Sequence, residues 1–113
     1  MNAATERVTL DIPAEIIRIK DALVHAIAPS RVYLFGSYAE GKQTENSDYD
    51  FYIVVRNDTD NIADLTALAY KSIRSIRTKA VDIIMGTESR FEDRRHRMSI
   101  EQEVRQKGIL LYG

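Results

Sequence analysis

The chain has 113 residues, 44% of them apolar and 29% charged, with 16 Lys and Arg against 17 Asp and Glu for a net charge of −1, and no cysteine. These totals describe a soluble globular protein and exclude disulfides and thiolate metal sites. The even charge balance argues against binding to long nucleic acid, whose affinity rests on an excess of Lys and Arg. No apolar run nears the ~20 residues that span a bilayer, and the opening MNAATERVTLDIP lacks an apolar signal core. The expectation is a single domain over residues 1–113, cytoplasmic and without a membrane partner.

Taken in chain order, Asp11 is a candidate cap for a helix that Pro13 opens and Pro29 stops. Between them Ile16, Ile19, Leu23 and Ile27 recur at helical spacing. Residues 31–35 (RVYLF) read as a short buried strand, broken by Gly36-Ser37, and residues 40–47 (EGKQTENS) as a polar loop. Residues 51–55 (FYIVV) are aromatic and β-branched, the composition of a central strand that starts near Asp48. A second helix from about Asn61 carries Ile62, Leu65, Ala69, Ile73 and Ile76 on its inner face. Residues 80–85 (AVDIIM) make a third strand that Gly86 ends. A third helix runs from about Glu88 to Lys107 with Gly108 as C-cap, and ILLY adds an edge strand. The alternation gives an α/β (α+β) domain, a small mixed sheet with helices packed on it.

Five carboxylates compete for attention. Side chains on a strand alternate faces, so Asp48 and Asp50 point the same way, with Cα atoms ~6.5–7 Å apart. Both can lean onto one cation, and without one they repel. Asp58 and Asp60 share that spacing but sit in a polar stretch (RNDTDN), where turn and N-cap roles suffice. An Asp-x-Asp by itself therefore decides nothing. Asp82 interrupts an apolar strand, and a buried Asp needs a partner or a metal; an edge strand on which Asp82 simply faces water is the alternative. Gly36-Ser37 follows a strand directly, where the glycine lets backbone approach a ligand and Ser37 offers a hydroxyl and an N–H to phosphate. An ordinary strand-to-helix turn capped by Ser37 is the alternative there. The Walker spacing is absent. In combination, a phosphate-type turn, a carboxylate pair opening the next strand and a third carboxylate on a later one suit two divalent ions clamping a triphosphate.

The segment FGSYAEGKQTENSDYDFYIVV resembles the signature of the minimal nucleotidyltransferases of the DNA polymerase β superfamily: Gly-Ser, a spacer, then Asp-x-Asp entering an apolar strand. VDIIM is similar to the strand bearing that family's third carboxylate, and the polar helix with GILLY resembles the ending of small members, so the likeness runs from about residue 14 to 112. It implies a palm-like nucleotidyltransferase fold, with Gly36 and Ser37 binding the triphosphate tail. It also implies that Asp48 and Asp50 ligate magnesium, and that Asp82 completes a two-Mg2+ site and serves as base or orienting group for the attacking hydroxyl. Many relatives carry a basic residue just before the spacer glycine; this chain has Glu40, with Lys42 two positions on.

The implied activity moves AMP from ATP to an acceptor hydroxyl with release of pyrophosphate. Small proteins of this kind are often encoded beside a HEPN-domain protein as antitoxin and toxin, so the implied acceptor is a protein partner. The competing reading is an antitoxin that neutralises a HEPN partner by covering it without catalysis; an intact carboxylate trio favours modification. Aminoglycoside adenylyltransferases, which carry a further helical domain, fit 113 residues poorly. An oligomer is compatible with all of these. His25 and His96 lack a second ligand at metal spacing and read as structural or surface residues. Arg90, Arg94 and Arg97 read as a solvated helix face, and Tyr38, Tyr49 and Tyr52 as packing.

Overall fold

The computed structural model describes residues 12–94 and 98–113. The proposed Asp11 cap, His96 and Arg97 lie outside the described residues. Helix α1 (Ala14–Ile27) follows Pro13 and ends where Ala28 turns left-handed (φ 45°), one residue before Pro29. Strand β1 (Arg31–Phe35) leads through Gly36 into a single helical turn, α2 (Ser37–Glu40). Strand β2 (Tyr49–Val55), helix α3 (Ile62–Ile73) and strand β3 (Val81–Thr87) form a β-α-β unit, the crossover that a parallel pair requires. Helices α4 (Glu88–Arg94) and α5 (Ile100–Lys107) and strand β4 (Ile109–Tyr112) complete the chain. No helix among the described residues is long and apolar enough to cross a membrane.

The sheet order is β3-β2-β1-β4, with β1 antiparallel to β2 and β4, and β2 parallel to β3. It is the expected small mixed sheet, and β2 lies inside it. Alternation sorts its side chains onto two faces. On one, Val32, Leu34, Phe51, Ile53, Val55 and Ile83 pack with the stripe Ile16, Ile19 and Leu23 of α1 and with Ala69 and Ile73 of α3. On the other, Tyr33, Phe35, Tyr52 and Val54 meet Phe91 of α4 and Val104 of α5. Phe91 anchors this second core, with its ring centroid 5.3 Å from Tyr33 and 5.4 Å from Tyr52.

Four local expectations need correction. The single helix over residues 88–107 is two helices, because Ser99 caps a new one: its hydroxyl accepts from Gln102 N at 3.1 Å and donates to the Arg94 carbonyl at 2.7 Å. β3 does not stop before Gly86 but runs through it to Thr87. Gly86 is needed there for space, since a Cβ would collide with the Tyr52 hydroxyl and sit 3.2 Å from Arg90 Cδ. The cap of α3 is Asn61, whose side chain accepts from Asp64 N at 3.0 Å, so Asp60 is left in the preceding bend. Arg90 and Arg94 are not simply solvated; both pair with Glu101, which is 1% exposed.

Gly86→Ala forces its methyl against the Tyr52 hydroxyl, an overpacking that costs about 1–3 kcal/mol. Tyr52→Phe removes the obstructing oxygen, so denaturant unfolding of the double variant should show a smaller Gly86→Ala penalty than the same change in the wild-type background. Equal penalties in both backgrounds would break the proposed contact.

Candidate active site

The register of three strands builds the site. Phe35 at the end of β1 faces Asp50 on β2, and Asp50 faces Asp82 on β3, so the two carboxylates are direct cross-strand neighbours. Asp48 precedes β2 and flanks, with Asp50, the buried Tyr49, which points into the opposite core. Asp48 and Asp82 are exposed and Asp50 is half-buried. Gly36 closes the remaining side. Its backbone (φ 76°, ψ −156°) is one that L side chains rarely adopt, and a Cβ there would run into the Asp50 carboxylate. Ser37 is the first helical residue of α2, and Gly36 rather than Ser37 holds the cap position. The Gly36 carbonyl accepts from Ala39 and Glu40 N–H groups. The first N–H groups of such a turn have no partner within it and point toward the turn's open end.

The electrostatics follow from this crowding. Burial, then the charges of Asp82 and Asp48, a hydrogen bond with Asp82 and the charge of Glu103 push the Asp50 carboxyl up from 3.8 to about 6. Oxygen-only donors of this kind suit Mg2+ or Ca2+ rather than softer metals, and a cation would relieve the repulsion that raises Asp50. As the side chains stand, no three His, Cys, Asp or Glu among the described residues meet closely enough to hold an ion unaided. Asp50 and Asp82 touch, while Asp48 acts on Asp50 through its charge alone.

The other sequence candidates disperse. Asp58 pairs with Arg56 at 3.3 Å on the surface, and Asp60 is exposed in the bend before α3. His25 is exposed on α1. Tyr38 and Tyr49 pack edge to face at 4.9 Å, and Tyr52 is fully buried, so all three tyrosines pack. Lys42, 76% exposed, pairs loosely with Glu40 at 3.7 Å.

Two groups escaped the sequence reading. The charge of Glu103 on α5 reaches Asp50 and adds to the forces that raise it. Glu101, two residues earlier, is buried beneath the site face, where it accepts from the Tyr52 hydroxyl at 2.7 Å and from Arg94 at 3.1 Å. Burial pushes the Glu101 carboxyl up, but Tyr52, a backbone hydrogen bond, Arg94 and Arg90 outweigh it and hold it below the ordinary range. Burial, with Glu101 as acceptor, raises Tyr52. The capping pattern Ser99-x-x-Gln102 was the legible signal for where α5 begins.

A mixed sheet with a glycine turn beside clustered strand-end carboxylates defines the palm-like class of α/β domain. Within that class the chain belongs to the nucleotidyltransferase domain family, whose sequence model matches residues 16–106. No curated protein sequence matches it significantly. Among solved structures, a toxin-antitoxin crystal structure with AMP-PNP is 31% identical, with TM-score 0.59 over 89% of this chain and 74% of that one. A variant of the toxin-antitoxin MntA-HpeT, with two aspartates two positions apart changed to glutamate, is 29% identical at TM-score 0.57 over the same shares. A nucleotidyltransferase-type protein from Sulfolobus solfataricus shares the fold at 18% identity and TM-score 0.55, over 97% of this chain and 87% of that one.

The raised Asp50 carboxyl fixes the sign of a pH effect. Between 3.8 and about 6 the folded chain holds this proton more tightly than the unfolded chain does. The group's contribution to stability therefore falls as pH rises through that window and stays low above it. In divalent-free buffer at pH 8, Asp50→Asn should melt higher than wild type, and the advantage should shrink by pH 4. A variant that melts lower at pH 8 would contradict the crowding of charge at this position.

Proposed function

We propose that the protein binds a nucleoside triphosphate with divalent ions and transfers its nucleotidyl group, AMP from ATP, to a hydroxyl on a protein partner. The observation that carries this reading is the cross-strand contact of Asp50 with Asp82, with Asp48 beside it and Gly36 packed against Asp50. Half-burying a carboxylate among carboxylates costs stability, and a covering surface has no need of it. The AMP-PNP held by one toxin-antitoxin neighbour supports the nucleotide. The altered aspartate pair of another has the spacing of Asp48 and Asp50, and both neighbours support a toxin-type partner. A HEPN-domain protein is the partner that the sequence resemblance implies.

In this reading Gly36 and Ser37 cradle the β- and γ-phosphates through backbone N–H groups. Asp48, Asp50 and Asp82 would hold the Mg2+ ions, which neutralise charge developing on the phosphate oxygens. Asp82 takes the proton of the acceptor hydroxyl as its oxygen bonds to the α-phosphorus. The bond from that phosphorus to the bridging oxygen breaks, and pyrophosphate leaves. With little covalent work to do, the chain contributes position and electrostatics.

Isothermal calorimetry with ATP and Mg2+ tests the binding half. Asp48→Asn with Asp50→Asn should abolish the heat, whereas Asp58→Asn with Asp60→Asn should leave it unchanged. Equal affinity in all three proteins would sink the site.

The chemical half is read by following labelled AMP onto the product of the neighbouring gene. Asp82→Asn should keep much of the nucleotide affinity yet slow transfer by ~10²–10⁴-fold, the usual worth of a positioned proton acceptor. Tight complex formation without any transfer by wild type would instead favour neutralisation by covering.

A further inference from the structure

Arg90 and Arg94 lie one turn apart on α4 and reach into the same buried carboxylate. Arg90 Nε is 3.4 Å from Glu101 Oε2 and Arg94 Nε is 3.1 Å from Oε1. Glu101 is 1% exposed, while the two arginine side chains are 56% and 40% exposed. Each guanidinium turns its inner nitrogen to Glu101, and Arg90 also reaches the Tyr52 hydroxyl; with five N–H donors apiece, both forks keep terminal N–H groups for other acceptors. Neither arginine makes another ion pair among the described residues.

The charges do not cancel. Two cations surround one carboxylate that already accepts from the Tyr52 hydroxyl at 2.7 Å. One arginine with that hydroxyl would satisfy Glu101, so the second leaves a positive excess. Because Glu101 holds both side chains, an arriving anion meets two guanidinium groups with little rotamer freedom left to lose. Held forks of this kind suit a carboxylate or phosphate.

Their place on the sheet narrows the ligand. Arg90 passes Gly86, where a Cβ would lie 3.2 Å from its Cδ. On the same face of the edge strand β3 stand Asp82 and Ile84, both exposed. From Asp82 to Gly86 the strand covers about 13 Å at its usual rise. Gly36 and Ser37 are two strands away on the other side of Asp50, so the triphosphate tail of the proposed reaction does not reach the arginines. A nucleic-acid backbone would have to pass Asp48, Asp82 and Glu103, all of its own sign.

The geometry points to a recognition track along β3 for an acidic segment of the protein acceptor: hydroxyl at Asp82, apolar side chain on Ile84, carboxylate on Arg90 and Arg94. The track's direction rests on the proposed acceptor position at Asp82, whereas the anion clamp rests on the arginines and Glu101 alone. In an extended segment, the acidic residue then stands about four positions from the modified one.

Fluorescence anisotropy of two dye-labelled peptides, each with a single tyrosine as the hydroxyl-bearing probe residue, tests this on the full chain with Mg2+ and AMP-PNP. One peptide carries Glu four positions from the tyrosine and the other carries Gln. The Glu peptide should bind about tenfold more tightly. Arg90→Lys with Arg94→Lys should remove that preference, because a lysine placed on Glu101 has no outward fork; ATP affinity and melting temperature should hold. Should the double variant fail to fold, the Glu-over-Gln preference of wild type still decides, and each single variant should lose part of it. Equal binding of the two peptides overturns the clamp, as does a preference untouched by the lysines or tighter binding of a single-stranded oligonucleotide. Loss of the preference only when the Glu is moved to one or two positions from the tyrosine supports the direction of the track. Peptide discrimination without AMP transfer would leave the clamp standing and remove the chemistry.

Discussion

Everything at the candidate site depends on one pairing, Asp50 of β2 beside Asp82 of β3, enforced by strand register. Two carboxylates in that position repel, and the chain does not let them part. Tyr49, Phe51, Ile53 and Val55 of the same strand are between 0 and 3% exposed and lock β2 into the core shared with α1 and α3. A one-residue slip would carry all four to the wrong face. Gly36 presses from the other side, where any larger residue would displace the Asp50 carboxylate. The repulsion is thus stored by hydrophobic packing on the far side of the sheet, and a divalent ion is the natural means of releasing it.

The second face of the sheet does related work with opposite chemistry. Tyr52 lies two residues along β2 from Asp50 and donates to Glu101, so the strand bearing the carboxylates is tied to α5 through a buried hydrogen bond. Arg90 and Arg94 extend the tie to α4. Breaking such a network from one side leaves an uncompensated charge inside, which is why α4 and α5 sit in fixed relation to the site although each is short. Through the same helix, the charge of Glu103 is brought within reach of Asp50. Negative charge at the strand ends and positive charge further along β3 give the site face a polarity.

The sequence displayed the parts of this design that are local. Pro13, Pro29 and the stripe Ile16, Ile19, Leu23 mark α1 because prolines and 3.6-residue periodicity act within one element. FYIVV announced β2 because an inner strand is apolar on both faces. β3 was harder: Ile84 is apolar yet 37% exposed, which hides the alternation of an edge strand and makes Asp82 look more buried than it is. Asp82 does face water, as the plainer reading had it, and it also neighbours Asp50; those readings were never exclusive. The break between α4 and α5 was legible in Ser99 and Gln102, but the polar, periodic stretch around it resembled one long helix. Glu101 gave no signal at all, since a glutamate in EQEVRQK looks solvated until the fold lays Tyr52 beneath it.

The central claim is that Asp50, crowded by carboxylates, belongs to a cation and triphosphate site. Carboxyl-carbon NMR of Asp50 across a pH titration measures it most directly, first without divalent ions and then with Mg2+ and AMP-PNP. Without divalent ions the midpoint should lie at about 6; with Mg2+ and nucleotide it should fall below the ordinary carboxylate value, because a bound cation favours the charged form. A midpoint that Mg2+ and AMP-PNP leave in place would contradict the account.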